Sequence, residues 1–320
     1  MHYHYVYNYK AKRGEGMERV KEAARLLAQE GESEQAKLLL LDAFSEQANL
    51  IVAHNLADYY KEHDQYEEAF HYALQAVAWQ PKTYYPYALL GELSMRRGDN
   101  DSAQKWLEKA YKRFQSPVVA HNLATLYKAQ QKYEQAARLF IKSYETEDYG
   151  LLHAVECLVL ANDFQHAKKW IAIIEQEQER FIGEVELGEL YGRIGDYQKS
   201  AVWYAKGYNH YAHTGEWIAD YVWVLHQLGN EAQKKAVITA FMEQCKQTMA
   251  DLADKTLEDD WTEEEVAEEE ARLRANMERV NSAHLQHQIM MQNEPSIASR
   301  CYTFFCPMHD EGHGDSELDG

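Results

Sequence analysis

An all-α solenoid of about seven stacked helix hairpins is the fold this sequence predicts, and three observations predict it. A pattern of small and aromatic residues recurs seven times at a period of about 34, the mark of a helical-repeat chain. Two copies nearly coincide: AHNLADYYKEHDQYEEAF from Ala53 to Phe70 and AHNLATLYKAQQKYEQAARLF from Ala120 to Phe140. A third, LGELYGRIGDYQKSAVWY from Leu187 to Tyr204, keeps the frame with Gly188 and Tyr191 in place. Only 16 Gly and 5 Pro fall in 320 residues, few enough for long runs of helix.

The copies start near Met17, Leu50, Tyr84, Pro117, Asp148, Phe181 and Gly215. In the second copy Leu56 and Ala57 are adjacent, Tyr60 lies one turn on, Ala69, Ala73 and Ala76 follow, and Pro81 closes the copy. Small residues at Ala57, Gly91, Ala124 and Gly188 let the first helix of a pair approach the second. Ala69, Ala103, Ala136 and Ala167 do the same from the other side, and Tyr60, Tyr127 and Tyr191 fill the gaps. Turns are expected at Gly31-Glu32, Gly98-Asp99, Asn162-Asp163, Gly195-Asp196 and Gly229-Asn230, where glycine or Asx ends one helix and starts the next. No hairpin buries its apolar face alone, so each needs its neighbours.

Beyond the frame, Thr262 followed by Glu265 forms a capping box, and the acidic turn after it suits a helix N-terminus. A helix from about Glu263 to Met291 follows. Val266, Leu273, Val280 and His287 recur every seventh residue, with Met277, His284 and Met291 as a second row. This helix is expected to pack on the last hairpin as a polar cap rather than to form a coiled coil. The boundaries are therefore 1–16 as an N-terminal extension, 17–247 as the solenoid, 248–292 as the acidic capping region and 293–320 as a flexible Cys/His-containing tail. Residues 12–16, KRGEG, can be encoded by a purine-rich ribosome-binding sequence, so one reading starts translation at Met17 in a bacterial host. The alternating Tyr3, Tyr5, Tyr7 and Tyr9 offer the other, a short strand.

This frame resembles the tetratricopeptide repeat, with its tryptophan–leucine–glycine–tyrosine–alanine–phenylalanine–alanine–proline pattern, from Met17 to about Gln247. The fifth copy begins early, and Lys234 replaces the usual alanine in the seventh. The resemblance implies a right-handed superhelix whose inner surface is lined by the first helix of each pair. It also implies an adaptor or scaffold holding an extended protein or peptide segment, with no cofactor.

Composition bounds the function further. The net charge is −19, and from Gln247 onward 18 acidic residues face 5 basic ones, a balance of −13 that leaves −6 for the rest. An acidic chain opposes nucleic-acid backbones and anionic membranes, so neither is an expected partner. No apolar run of about 18 residues is present, the first residues lack the apolar centre of a secretory leader, and the four cysteines have no framework spacing. A cytoplasmic protein is expected, of unspecified oligomeric state. No phosphate loop, HExxH pair, nucleophile elbow or dinucleotide motif occurs, so no catalytic residue is assigned and a non-enzymatic role is expected.

The candidate partner-binding residues are His54, Asn55, Asp58, Tyr85, Arg96, His121 and Asn122. Asn55 and Asn122 hold the same repeat position, each after a histidine. A carboxamide donates and accepts at once, so it can grip a peptide unit whatever its side chain. The resemblance supports that role, while the alternative is a pair of solvated residues kept by duplication. Leu89, His153 and Glu186 occupy the position in other copies. The family's clamp for a chaperone C-terminus is matched by Lys21 and Asn55, but Arg25, Tyr85 and Leu89 break it, which argues against carboxylate recognition. Cys301, Cys306, His309 and His313, spaced C-x4-C-x2-H-x3-H, are weak metal candidates whose spacing fits no standard finger. Cys157 and Cys245 read as small core residues. The alternative functions are a peptide-responsive regulator, for which no effector module precedes Met17, and a metal-dependent activity in the tail.

Overall fold

Alanine- and leucine-rich stretches separated by single turn residues carry the chain through helix after helix. The computed structural model describes residues 15–27, 29, 33–144, 149–176, 183–255, 261–286, 289 and 295–299. Among them are fifteen α-helices and no strand. They are α1 (Glu15–Leu27), α2 (Ser33–Glu46), α3 (Leu50–Glu62), α4 (Tyr66–Ala78), α5 (Tyr85–Arg96), α6 (Asn100–Tyr111), α7 (Pro117–Ala129) and α8 (Tyr133–Ser143). Then come α9 (Tyr149–Leu160), α10 (Phe164–Gln176), α11 (Glu184–Ile194), α12 (Tyr197–Gly207), α13 (Gly215–Gln227), α14 (Glu231–Lys255) and α15 (Glu263–Gln286). The first fourteen follow the seven-copy frame in order, which makes the chain a helical-repeat solenoid.

One turn geometry recurs within the hairpins. Gly98, Asn162, Gly195 and Gly229 take a left-handed conformation, as the sequence predicts for those turns. In the second and fourth copies, however, the left-handed residue is Asp64 (φ 57°) or Gln131 (φ 60°), neither of which is glycine. The same main-chain bond holds all six turns. The N–H of the residue just before the next helix reaches back five residues, as in Gln65 to Tyr60 (2.9 Å), Lys132 to Tyr127 (2.8 Å) and Asp196 to Tyr191 (2.9 Å). This bond satisfies an orphan carbonyl at the end of the first helix. Where the donor residue is Asx it also caps the second helix: Asp99 accepts from Ser102 N–H at 3.1 Å and Asp196 from Lys199 N–H at 3.2 Å.

The helices fall into two units, one of residues up to Ala154 together with the segment Pro295–Ser299, the other from Val155 to Glu294. In the first unit Tyr87, Leu89, Leu90 and Leu93 of α5 are fully buried against Ala69 and Ala73 of α4 and Leu107 of α6. Each such leucine contributes about 2 kcal/mol of apolar burial.

In the second unit the core gathers Tyr204 of α12, Trp217, Tyr221 and Val224 of α13, Phe241 of α14 and Val280 of α15. Cys157 and Cys245 are buried thiols, as expected. A Cβ on Gly188 would stand 2.7 Å from the ring of Tyr204, which is fully buried and has no room to retreat. Gly188→Ala is therefore expected to lower stability by about 1 kcal/mol, overpacking outweighing the better helix propensity of alanine. Chemical denaturation of the two proteins checks it.

The capping box is present: Thr262 N–H donates to Glu265 Oε2 at 2.8 Å, and Glu265 N–H donates to Thr262 Oγ1 at 3.2 Å. The helix it starts ends at Gln286. Leu273, Val280 and Ala283 are its buried stripe, and Arg279 pairs with Glu216 of α13 at 2.7 Å. Gly215 lets α15 come close, since a Cβ there would meet Asn276 at 2.5 Å. The helix before it, α14, runs on to Lys255, past the boundary at 247 read from the repeat frame. The segment Pro295–Ser299, read from sequence as part of a flexible tail, belongs to the first unit, with Pro295 and Ala298 buried.

Candidate functional site

Three repeat positions on the first helices of the second, third and fourth hairpins build one face of the first unit. Asn55, Leu89 and Asn122 share a position. One turn further along α3, α5 and α7 lie Asp58, Glu92 and Thr125, and a turn beyond that Lys61, Met95 and Lys128. Helical i, i+3 spacing puts each column on a single face. Most of these side chains are buried: Asn55 and Asn122 at 1 % exposure, Asp58 and Glu92 at 0 %, Lys61 at 4 %.

The chain's own segment Pro295–Ser299 lies on this face. Asn122 holds it at two points: its Nδ2 donates to the Ala298 carbonyl and its Oδ1 accepts from the Ala298 N–H, both at 2.8 Å. The carboxamide thus pairs with both polar groups of one residue, as a facing strand does in an antiparallel ladder. His121 Nε2 donates to the Ser296 carbonyl at 2.9 Å, which assigns the ring proton to Nε2 because a carbonyl only accepts. Ile297 is half-buried against the apolar cluster that contains Leu89 and Leu123. At the C-terminal end of the segment, Lys61 Nζ donates to Ser299 Oγ at 3.3 Å.

The floor of the face carries a charge network. Lys61 lies 3.2 Å from Asp58 and 2.7 Å from Glu62. Burial alone would lower the Lys61 pKa, but the surrounding carboxylates of Asp58, Glu92 and Glu62 outweigh it and raise it. Glu92 is shifted upward because burial disfavours its charge, an effect that Lys61, the Ser299 hydroxyl and Arg96 only partly offset. Arg96 grips Glu92 at 3.1 Å and lies over the Tyr66 ring at 5.3 Å. The buried charges of this face are Asp58, Lys61, Glu92 and Lys128, while Arg96 is exposed and pairs with Glu92 from outside.

The residues singled out from sequence separate by place. His121 and Asn122 touch the segment directly. Asp58 and Arg96 act on it through Lys61 and Glu92. His54 and Asn55 are buried on α3, one hairpin pair back from their duplicates. Tyr85 stands at the start of α5, half-buried on the core with its ring 4.5 Å from that of Tyr84. Cys301, Cys306, His309 and His313 lie outside the described residues. Sequence reasoning missed Lys61, Glu92 and the segment itself. One signal was available: Lys61 and Lys128 are duplicated along with the His–Asn pairs.

Among the described residues no helix is long and apolar enough to cross a membrane. Tetratricopeptide-repeat models match residues 50–78, 84–116 and 118–146. No curated protein sequence matches the chain. Among solved structures, a tetratricopeptide repeat protein from Parabacteroides merdae superposes with a TM-score of 0.52 at 14 % identity, over 82 % of this chain and 100 % of its own. Pseudomonas aeruginosa pilF superposes with a TM-score of 0.52 at 17 % identity, over 65 % of this chain and 97 % of its own. At these identities the likeness concerns the fold. Repeats of this kind generally mediate protein–protein interaction and typically form non-enzymatic scaffolds. The recurring turn bond and the three matched repeats make residues 50–146 a run of tetratricopeptide repeats within a helical-repeat fold.

Proposed function

We propose that this protein is a non-enzymatic, cytoplasmic adaptor that binds an extended segment of a protein partner on the face formed by α3, α5 and α7. The observation that carries the reading is the pair of 2.8 Å hydrogen bonds between one Asn122 carboxamide and the main-chain N–H and carbonyl of one residue, Ala298. A buried asparagine committed to main-chain atoms is chemistry for holding extended backbone, and it demands nothing of the ligand's side chain. Asn55 holds the equivalent position on α3, two hairpins away, and is equally buried. The acidic balance of −19 favours a protein ligand over nucleic acid.

Affinity capture from the native host tests it, with wild type run beside an Asn55→Ala/Asn122→Ala double variant of equal helical content by circular dichroism. The identified partner is expected to bind the variant at least ~10-fold more weakly, since truncating Asn122 alone strips two main-chain bonds from the ligand. Equal affinity of wild type and variant for that partner overturns the reading.

A further inference from the structure

We propose that Pro295–Ser299 is a tethered competitor: a ligand-like segment of this chain that occupies the partner-binding face and must be displaced before a partner of the same chemistry enters. The inference rests on the reading of that face as a peptide site and goes on to say what the peptide looks like and what guards the site. Three observations carry it.

First, the segment is bound as a ligand would be. Its polar anchors are main-chain groups, the Ser296 and Ala298 carbonyls and the Ala298 N–H, all satisfied by side chains of α7. Its described residues carry no helix or strand, so the contacts come from the host face and not from secondary structure of the segment.

Second, the side chains that are buried define a chemistry. Pro295 and Ala298 are buried and Ile297 half-buried, while Ser296 and Ser299 are exposed. Ala298 retains only 9 % exposure, so its site accepts a methyl and has no space for a large side chain. The Ser299 hydroxyl accepts from Lys61 and donates to the Glu92 carboxylate, a use of both faces of a hydroxyl that an apolar residue cannot copy. The ligand class is therefore an extended segment of the form proline, any residue, branched aliphatic, small residue, hydroxyl residue.

Third, the charges agree. The segment from Pro295 to Ser299 has no charged side chain, and the buried charges of the face it lies on, Lys61 and Lys128 against Asp58 and Glu92, are equal in number. A strongly acidic or basic ligand would leave one of these buried charges unmatched.

A covalently attached ligand competes at an effective concentration that reaches the mM range, so even modest intrinsic affinity suppresses binding from solution by about 10- to 100-fold. The test uses the full chain and a capped, fluorescein-labelled peptide copying residues 293–300 (NEPSIASR), read by fluorescence anisotropy. Ala298→Trp places an indole where only a methyl fits and evicts the segment without touching a helix. The expected result is weak peptide binding by wild type, binding at least ~10-fold tighter by Ala298→Trp, and loss of that gain when Asn122→Ala is added. Equal affinity of wild type and Ala298→Trp for the peptide, or no binding by either, overturns the competitor. So does a wild-type dimer, seen by light scattering, that Ala298→Trp converts to monomer, because the segment then serves a second copy. If the native partner's binding still depends on Asn122 while Ala298→Trp changes nothing, the peptide site stands and only the competitor falls. If neither ligand depends on Asn122, the site itself falls.

Discussion

Lys61→Met is expected to destabilise the first unit by about 3–5 kcal/mol, the range for removing one partner from a buried charge set. Lys61 sits at 4 % exposure between Asp58 and Glu92, both fully buried. Methionine keeps the length of the stem and removes the cation, so the loss is electrostatic and not a cavity effect. The pH dependence identifies the cause. In wild type the Lys61 pKa is raised, so its contribution is present below the usual lysine range and disappears as pH rises through the folded value. In the variant Asp58 and Glu92 lose that countercharge. Acidification then protonates Glu92, whose pKa is already raised by burial, and relieves part of the penalty, so the gap between wild type and variant narrows as pH falls. Urea midpoints at pH 4.5 and pH 8 measure it. A gap that is the same at both pH values would mean that Lys61 acts by packing alone.

Glu189→Gln has the opposite expected sign. Glu189 of α11 has its pKa raised well above the ordinary carboxylate value, first by burial and then by Asp220, Glu186 and Glu156. Three like charges face it, and no cation contributes to its shift. A carboxyl whose folded pKa is raised binds its proton more tightly in the folded state than in the unfolded one. Stability is therefore lost as pH climbs from the usual carboxylate range toward the folded value, and the loss persists above it. Glutamine keeps the shape and removes the charge, so the second unit gains about 2 kcal/mol at pH 8 and almost nothing at pH 4. For a unit of this size that is a rise in midpoint temperature of roughly 5–8 °C. Calorimetry at the two pH values reads it. Glu186, also raised by burial, keeps part of the slope in the variant. A variant no more stable than wild type at pH 8 would show that the folded state does not raise the Glu189 pKa.

What was legible in the sequence followed from local spacing. Ala57, Gly188 and their equivalents recur because helices of a hairpin must touch, so the seven-copy frame and the helix order could be read directly. Thr262 and Glu265 announce their helix because a capping box lies within four residues. The turns at Asp64 and Gln131 were not read, since neither pairs its left-handed residue with the glycine or Asx N-cap that marked Gly98-Asp99 and Asn162-Asp163. His121 and Asn122 stood out by duplication. Lys61 and Glu92 did not, because a charged residue on a helix ordinarily reads as a solvated one, and only the neighbouring helices reveal that both are buried. The position of Pro295–Ser299 depends on a face assembled from α5 and α7, more than 160 residues upstream in the chain, and five residues without periodicity carry no sign of it.

The Asn122 carboxamide touches only atoms that every residue other than proline possesses. On the proposed function, holding and choosing are therefore done by different parts of the molecule. An amino-acid change under Ala298 or Ile297 can redirect the face to another ligand without weakening its hold, and a change at Asn122 weakens its hold on every ligand alike. A scaffold divided in this way can acquire new clients by drift in its apolar seats while the clamp stays as it is.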